Sequence, residues 1–104
     1  MADLPMRLKL ALVLLLAGAS CVAAPVRPLR LGLCAACHGE DGSATQPGVP
    51  DLAGQREDYL RAALEQYRDG RRDVAVMRAA VGPLAAAELD ALAAWYAAQA
   101  RCRP

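Results

Sequence analysis

Five consecutive residues of this chain, from Cys34 to His38, combine two thiols and an imidazole in one short segment. Cys34 and Cys37 are three positions apart, and His38 directly follows the second cysteine. The spacing corresponds to about one turn of a helix, so both thiols can add to neighbouring vinyl groups of one porphyrin and form thioethers. His38 then lies beside the ring, where its imidazole can bind the iron. The pattern therefore predicts covalent attachment of one haem c.

Few other residues are available as a second axial ligand. His38 is the only histidine of the chain, and Met77 is the only methionine beyond residue 6. Two histidines of one chain therefore cannot hold the iron, which leaves either His38 with Met77 or an iron that is open on its distal side. Residues 71–83, which include Met77, are predicted to form an irregular loop that can reach over the second haem face. The alternative interpretation is a methionine that fills a gap in the core.

The first 24 residues are typical of an export signal. Arg7 and Lys9 precede an uninterrupted apolar run, and small residues follow that run. We expect residues 1–24 to be a cleaved signal peptide and residues 25–104 to form one domain outside the cytoplasmic membrane. One alternative is an uncleaved membrane anchor, since residues 10–26 carry no charge. Another is a lipidated amino terminus at Cys21.

Composition indicates an all-α fold. A domain as short as residues 25–104 buries little apolar surface, and such domains usually depend on a disulfide, a metal or a prosthetic group. The chain has no phenylalanine and no isoleucine, whereas alanine is abundant, so helix-forming residues outnumber strand-forming ones. We therefore expect a thin helical shell around the haem.

Three segments are predicted to be helices. The first covers about residues 28–36. The second covers residues 56–69, because apolar side chains recur along one face and Gly70 follows as a stop signal. The third covers about residues 85–100, with Pro83 just ahead of it as a start signal. Its predicted buried face consists of Leu89, Leu92, Ala93 and Tyr96.

A series of short motifs follows the haem motif in a fixed order. The segments are Cys34-Ala35-Ala36-Cys37-His38-Gly39-Glu40-Asp41-Gly42, Pro50-Asp51-Leu52-Ala53-Gly54-Gln55, Tyr59-Leu60, Asp69-Gly70-Arg71-Arg72 with Met77, and Leu92-Ala93-Ala94-Trp95-Tyr96. From about residue 33 to residue 98, the chain therefore resembles a class I cytochrome c of the small bacterial c553/c4-like type. The resemblance implies the cytochrome c fold, with three main helices and loops wrapped around one covalently attached haem.

The resemblance also implies a role for each site residue. Cys34 and Cys37 would carry the thioethers, His38 would be the proximal iron ligand, and Met77 would be the distal one. The carbonyl oxygen of Pro50 would accept a hydrogen bond from the imidazole and so orient it. The residues alone leave Pro47 open for that last role.

The start of the domain departs from the family pattern. Prolines and arginines crowd the approach to Cys34, so the first helix is predicted to be only two turns long. Leu29, Leu31 and Leu33 are then expected to pack against Tyr96, where the first and last helices cross. Tyr67, Trp95 and Tyr96 are interpreted as packing residues with a polar tip.

Charge indicates no nucleic-acid partner. Basic and acidic residues are equal in number between Pro25 and Pro104, so no strong field is available to steer docking or to bind nucleic acid. We expect redox protein partners, an unidentified donor and acceptor, to meet a small apolar rim around the haem edge. Residues such as Ala35, Ala53 and the run 79–81 would contribute to that rim. A membrane would be contacted only through an uncleaved leader.

The sequence thus predicts a periplasmic electron carrier that is not an enzyme, either a monomer or a subunit of a redox complex. The main alternative is a fixed cytochrome c subunit of a dehydrogenase or oxidase complex, and a further one is an open haem that binds small ligands or reduces peroxide. A thioredoxin-like enzyme is disfavoured because no strand-like run precedes Cys34. A zinc site is disfavoured because the adjacent Cys37 and His38 would have to bind one metal.

Two further cysteines lie outside the haem motif. If Cys21 is removed with the leader, Cys102 has no intrachain partner, and we expect a free thiol. If Cys21 is retained, a disulfide between Cys21 and Cys102 is the alternative.

Overall fold

The computed structural model describes residues 3, 5–7 and 25–99 of the chain. Four α-helices follow one another within residues 25–99, and no strand occurs in that range. They are α1 (Leu31–His38), α2 (Glu57–Asp69), α3 (Ala75–Val81) and α4 (Ala86–Ala98). Helix α2 packs on both α3 and α4. The predicted all-α architecture is confirmed for the described residues, with one short helix more than the three predicted.

Helix α1 holds both thiols and the imidazole of the haem motif. It begins at Leu31 rather than at Pro28 as predicted, because the chain first turns at residues 29–30, and the carbonyl of Pro28 accepts the N–H of Leu31 at 3.2 Å. It ends at Gly39, whose φ of 76° is unfavourable for residues with a Cβ. A Cβ at Gly39 would also collide with the carbonyl oxygen of Ser43. This sharp end leaves His38 as the last helical residue.

Helix α2 agrees with its predicted span to within one residue. Leu60 and Ala63 on its inner face are buried, and Glu57 and Asp58 in its first turn suit the positive end of the helix dipole. Gly70 ends the helix in the left-handed conformation, with a φ of 85°. The prediction of this helix is therefore confirmed.

Helix α3 lies where the sequence predicted an irregular loop over residues 71–83. That prediction was wrong, because residues 75–81 contain no glycine or proline and consist of Ala, Val, Met and Arg, which permit a short helix. Burial of Val81 holds the helix against the core, and Gly82 and Pro83 follow its end. Met77 therefore lies on a helix and not on an irregular loop.

Helix α4 contributes the largest share of the core. Its predicted buried face is confirmed, and the buried residues of the helix are Leu89, Leu92, Ala93, Tyr96 and Ala97. The carboxylate of Glu88 accepts the N–H of Ala85 at 3.3 Å and so satisfies one free donor at the start of the helix. Leu31, Leu60, Val81 and Leu84 complete the core cluster.

Only one of the three leucines expected to pack near Tyr96 is buried. Leu31 is 0% exposed and belongs to the same core cluster as Tyr96, whereas Leu29 is 100% exposed and Leu33 is 51% exposed. Because α1 begins only at Leu31, Leu29 precedes the helix. Leu33 is two positions from Leu31, a rotation of about 200° around the helix axis. The prediction was wrong for Leu29 and Leu33.

Several predictions concern residues outside the described part of the chain. These are most of the leader, Cys21, the end of the last helix at Ala100, and Cys102. Among residues 3, 5–7 and 25–99, no helix has the length and apolar character required to cross a membrane.

Candidate functional site

Helix α1 places both predicted haem-attachment cysteines on one short element. Cys34 and Cys37 are free thiols and are half-buried. Cys34 packs against the core, and burial raises the pKa of its thiol, so the protonated form is favoured. Catalytic cysteines of redox enzymes require the thiolate. The environment of Cys34 therefore gives no support to a thioredoxin-like function.

The zinc alternative also finds no support in residues 3, 5–7 and 25–99. Within them, no cluster of three or more His, Cys, Asp or Glu side chains is arranged to hold a metal ion.

His38 is buried at the end of α1 and has a defined hydrogen-bond partner. Its Nδ1 lies 2.8 Å from the carbonyl oxygen of Pro50. A carbonyl oxygen can only accept, so Nδ1 carries a hydrogen, and in the neutral imidazole Nε2 is then the nitrogen with the free lone pair. That tautomer suits metal binding through Nε2, with the other ring nitrogen fixed by the protein. The contact is made by Pro50, not by Pro47, the other proline that the sequence left open.

Hydrogen bonds within the loop between α1 and α2 fix the position of the Pro50 carbonyl. The carbonyl of Gly42 accepts the N–H groups of Leu52 and Ala53 at 2.8 and 3.1 Å. Gly42 has a φ of 82°, and a Cβ there would lie 2.5 Å from the nitrogen of Ala53. The carboxylate of Asp51 accepts the N–H of Ala44 at 2.7 Å. These contacts on both sides of Pro50 hold its carbonyl toward the imidazole.

Two aromatic residues of α4 bind the loop that connects α1 and α2, both where it begins and near Gly54. The indole Nε1–H of Trp95 donates to the carbonyl of Glu40 at 2.7 Å, and the hydroxyl of Tyr96 donates to the carbonyl of Gly39 at 2.9 Å. The N–H of Gly54 in turn donates to the carbonyl of Tyr96 at 3.0 Å. Both side chains are thus packing residues with a polar tip, as predicted, and each tip binds backbone next to α1.

Met77 lies on α3 and is half-buried against the core. Cys34, Leu52, Leu64 and Tyr67 pack against the same core while remaining partly exposed. Met77 is thus on a different element from the thiols and the imidazole, but its thioether belongs to the same apolar surroundings.

This set of donors fits haem c. It contains two free thiols at the attachment spacing, one imidazole whose Nδ1 is already engaged, and one thioether in apolar surroundings. Thiols form the covalent bonds, and imidazole with thioether is an established axial pair for haem iron.

The expected apolar rim differs in part from the prediction. Ala79 is exposed and Ala80 is half-buried, but Val81 is only 2% exposed and faces the core, so it was wrongly placed in the rim. Ala79 and Ala80 instead line a groove of about 360 Å³ together with Leu29 and Leu33. Leu29 and Leu33, which were predicted to pack in the core, therefore lie on this surface.

The sequence interpretation missed a role for Arg72, which it treated only as part of a motif. The side chain of Arg72 donates to Tyr59 and Gln66 of α2 and lies over the rings of Tyr59 and Tyr67. No spacing signal in the sequence indicates this contact, because it joins a loop to a helix through a long, flexible side chain.

Comparison with known proteins finds a family model and several bacterial relatives. The family model described as Cytochrome c matches residues 30–97. Cytochrome c-554(548) of Halomonas halodenitrificans is 37% identical over 73 residues, which cover 67% of this chain and 88% of that protein. Cytochrome c4 of Pseudomonas aeruginosa is 39% identical over 70 residues, covering 67% of this chain and 35% of that protein.

A third relative matches more of the chain. The thiosulfate dehydrogenase electron acceptor of Thiomonas intermedia is 42% identical over 98 residues, covering 89% of this chain and 44% of that protein. The chain thus spans most of the first relative but less than half the length of the other two.

Proposed function

Because the chain belongs to the cytochrome c family, as a class I c-type cytochrome of the c4-like type, we propose that His38 and Met77 are the axial ligands through which its haem exchanges electrons. The cofactor is covalently bound haem c, and Cys34 and Cys37 fit the attachment motif of the family. The function of the chain is electron transfer. The ligand assignment goes beyond these findings and is argued from the residues of the site.

The contact between His38 Nδ1 and the Pro50 carbonyl carries the proposal. It holds the imidazole in one tautomer and one orientation, so Nε2 can bind iron without a further rearrangement of the ring. A hydrogen bond donated by Nδ1 also makes the ring a stronger electron donor. Hydrogen bonds to the backbone at Gly39, Gly42 and Ala53 hold the surrounding loop. The fold therefore fixes the orientation of the His38 imidazole before iron is bound.

Met77 supplies a soft and neutral thioether. Such a ligand favours the reduced state of haem iron and raises the reduction potential into a range useful for carrying electrons. Leu52 and Leu64 pack against the same core as Met77, so its surroundings are largely apolar. Low polarity also favours the redox state with the smaller net charge.

We further propose that the chain is a carrier and not an enzyme. If His38 and Met77 both bind the iron, no axial position is left at which a substrate could bind. The relative from Thiomonas intermedia is named as an electron acceptor of thiosulfate dehydrogenase. By analogy, a dehydrogenase is a suitable class of donor for this chain, and a fixed subunit of such an enzyme remains the alternative.

The proposed location is the periplasm, with residues 1–24 as export signal and residues 25–104 as the cytochrome domain. Bacterial relatives of the family support an exported protein. Redox partners would approach the apolar groove that Leu29, Leu33, Ala79 and Ala80 line, where few charges must be desolvated.

Replacement of Met77 tests the ligand assignment. Met77→Leu keeps the size of the side chain and removes only the sulfur, so folding should be little affected. We expect the oxidised variant to lose the weak near-infrared Met-to-iron band and its reduction potential to fall. Met77→Ala should behave in the same way.

Val76 provides a matched control on the same helix, because it is 68% exposed and next to Met77. Val76→Ala should retain both the band and the potential of the unmodified protein. A Met77→Leu variant with an unchanged band and potential would remove Met77 from the ligand set.

A further inference from the structure

The Pro50 carbonyl and the His38 imidazole belong to a closed ring of hydrogen bonds, which begins at the end of α1. The last four carbonyl groups of a helix lack a partner within the helix. The N–H of Thr45 donates to the carbonyl of Cys37 at 3.0 Å. The hydroxyl of Thr45 lies 3.4 and 3.3 Å from the carbonyl oxygens of Ala36 and Cys37. Thr45 therefore binds the loop to the helical turn that carries the second thiol.

A carboxylate makes the next contact of the ring. Oδ1 of Asp51 accepts the N–H of Ala44 at 2.7 Å, so it joins the residue before Thr45 to the residue after Pro50. A carboxylate that accepts a backbone N–H makes a stronger hydrogen bond than a neutral acceptor does. This contact closes residues 45–50 into a short loop whose two ends are fixed to each other.

The ring closes through the imidazole. His38 Nδ1 lies 2.8 Å from the carbonyl oxygen of Pro50, and His38 directly follows Cys37, where the ring begins. Beyond the ring, Nε2 of Gln55 donates to the carbonyl of Asp51 at 2.6 Å and holds the backbone of that residue. The position of the Pro50 carbonyl relative to α1 thus depends on the Asp51 side chain as well as on backbone contacts.

The position of this carbonyl affects the iron through the imidazole. A hydrogen bond donated by Nδ1 raises the basicity of the ring. A more basic ligand stabilises oxidised iron more than reduced iron, so a weaker hydrogen bond raises the reduction potential. We propose that Asp51 is a positioning residue, whose carboxylate sets the strength of the hydrogen bond between His38 and Pro50 and through it the reduction potential of the haem. The proposal rests on the proposed function, because it requires His38 to be an iron ligand.

A pair of substitutions at Asp51 separates the hydrogen bond from the charge. Asp51→Ala and Asp51→Asn both remove the negative charge, but only asparagine keeps an oxygen that can accept the N–H of Ala44. A difference between the two variants therefore reports on the acceptor and not on the electrostatic effect of a carboxylate on the iron. Because Asp51 is exposed, neither substitution opens a cavity in the core.

Two measurements on the haem-loaded protein compare these variants. We expect a higher reduction potential for Asp51→Ala than for Asp51→Asn, because loss of the acceptor lets the Pro50 carbonyl move away from the imidazole. In the reduced protein, NMR should show the Nδ1 proton of His38 exchanging about two- to tenfold faster in Asp51→Ala, which corresponds to the net contribution of one hydrogen bond. A residue that only stabilised the fold would change the free energy of unfolding and not the potential.

Asp69 provides the matched control, because it makes the same kind of contact in another part of the chain. Its Oδ1 accepts the N–H of Arg71 at 3.0 Å, in the segment that follows α2. Asp69→Ala and Asp69→Asn should therefore have equal potentials and equal rates of Nδ1 exchange. Equal potentials and equal exchange rates for Asp51→Ala and Asp51→Asn overturn the proposal.

A third substitution replaces Asp51→Ala in the comparison if that variant does not load haem. Asp51→Glu keeps the charge but moves the carboxylate by one methylene group, so its contact with Ala44 is displaced. We expect Asp51→Glu to have a higher potential and faster Nδ1 exchange than the unmodified protein. Identical values for the two proteins would then overturn the proposal.

Failure of this proposal is distinguishable from failure of the axial-ligand assignment. The near-infrared band of the unmodified protein and its loss in Met77→Leu test the ligands, whereas the Asp51 variants compare proteins that have the same ligands. An unmodified protein without the band rejects the axial pair. Identical Asp51→Ala and Asp51→Asn variants that both retain the band reject only the positioning role.

Discussion

Removal of the Tyr96 hydroxyl tests how the fold holds the iron-binding end of α1. Tyr96 is 3% exposed, and its hydroxyl donates to the carbonyl of Gly39 at 2.9 Å. Gly39 directly follows His38 and is itself buried. Tyr96→Phe keeps the ring in the core and deletes only this hydrogen bond between α4 and the end of α1.

The expected loss in the free energy of unfolding depends on the Gly39 carbonyl, which Tyr96→Phe leaves without its donor. A buried acceptor that loses its donor costs about 1–3 kcal/mol. The carbonyl of Gly39 keeps a long contact to the N–H of Gly42, at 3.4 Å, so the lower part of that range applies. We expect Tyr96→Phe to lower the free energy of unfolding by about 1–2 kcal/mol. For a domain of this size, that corresponds to about 4–16 °C in the melting temperature.

The same side chain gives the effect a pH dependence. Burial is the main cause that raises the pKa of Tyr96 in the folded protein. The unfolded phenol ionises near pH 10, while the folded one retains its proton to higher pH, so folding binds more protons above that value. The contribution of Tyr96 is therefore fully present below about pH 10 and is lost as the pH rises further. The difference between the unmodified protein and Tyr96→Phe should shrink at alkaline pH.

Denaturant unfolding of the haem-loaded protein, followed by far-UV circular dichroism at several pH values, measures both effects. Val76→Ala is the control, because the Val76 side chain is 68% exposed; its stability should change by less than about 0.5 kcal/mol. A Tyr96→Phe variant as stable as the Val76→Ala control at neutral pH would refute the reasoning.

Two further predictions concern the haem bonds and the core. Acid acetone should fail to extract the haem from the unmodified protein, because two thioethers hold it, and extraction should begin only when Cys34 and Cys37 are both replaced by Ala; extraction from the unmodified protein would contradict thioether attachment. Leu31→Ala should cost about 2–5 kcal/mol because Leu31 is fully buried, whereas Leu29→Ala should stay within about 0.5 kcal/mol, and thermal unfolding that shows equal losses would contradict the packing described here.

The parts of the fold that the sequence predicted correctly are those with strong local signals. Helix α2 has apolar residues at regular spacing and Gly70 at its end, and both features survive in the structure. The haem motif and the buried face of α4 depend on similarly local patterns. Such signals are set by backbone geometry and side-chain spacing, so they require no knowledge of distant contacts.

The parts that the sequence did not predict depend on tertiary contacts. Residues 71–83 contain several turn-forming residues, and the packing of Met77 and Val81 against the core accompanies the formation of α3 in the middle of this segment. The prolines before α1 indicated a short helix but not that it begins at Leu31, which determines that Leu31 is buried and Leu29 is not. Short segments rich in Ala and Val have weak intrinsic preferences, so packing determines their structure.

The unusual position of Arg72 also depends on distant contacts. Asp69 and Asp73 are close to it in sequence, and either could have been its partner. Arg71 and Arg78 bind these carboxylates instead, so Arg72 reaches back to α2. A long charged side chain can form ion pairs of similar energy with several neighbours, so sequence spacing does not determine which partner it binds.

The most direct test of the central claim is an absorption spectrum of the purified, haem-loaded protein in both oxidation states. If one haem c is bound by His38 and Met77, the reduced protein should show the spectrum of a six-coordinate c-type haem, and the oxidised protein should show the weak near-infrared band of methionine bound to iron. A high-spin iron, or an oxidised spectrum without that band, would contradict the claim.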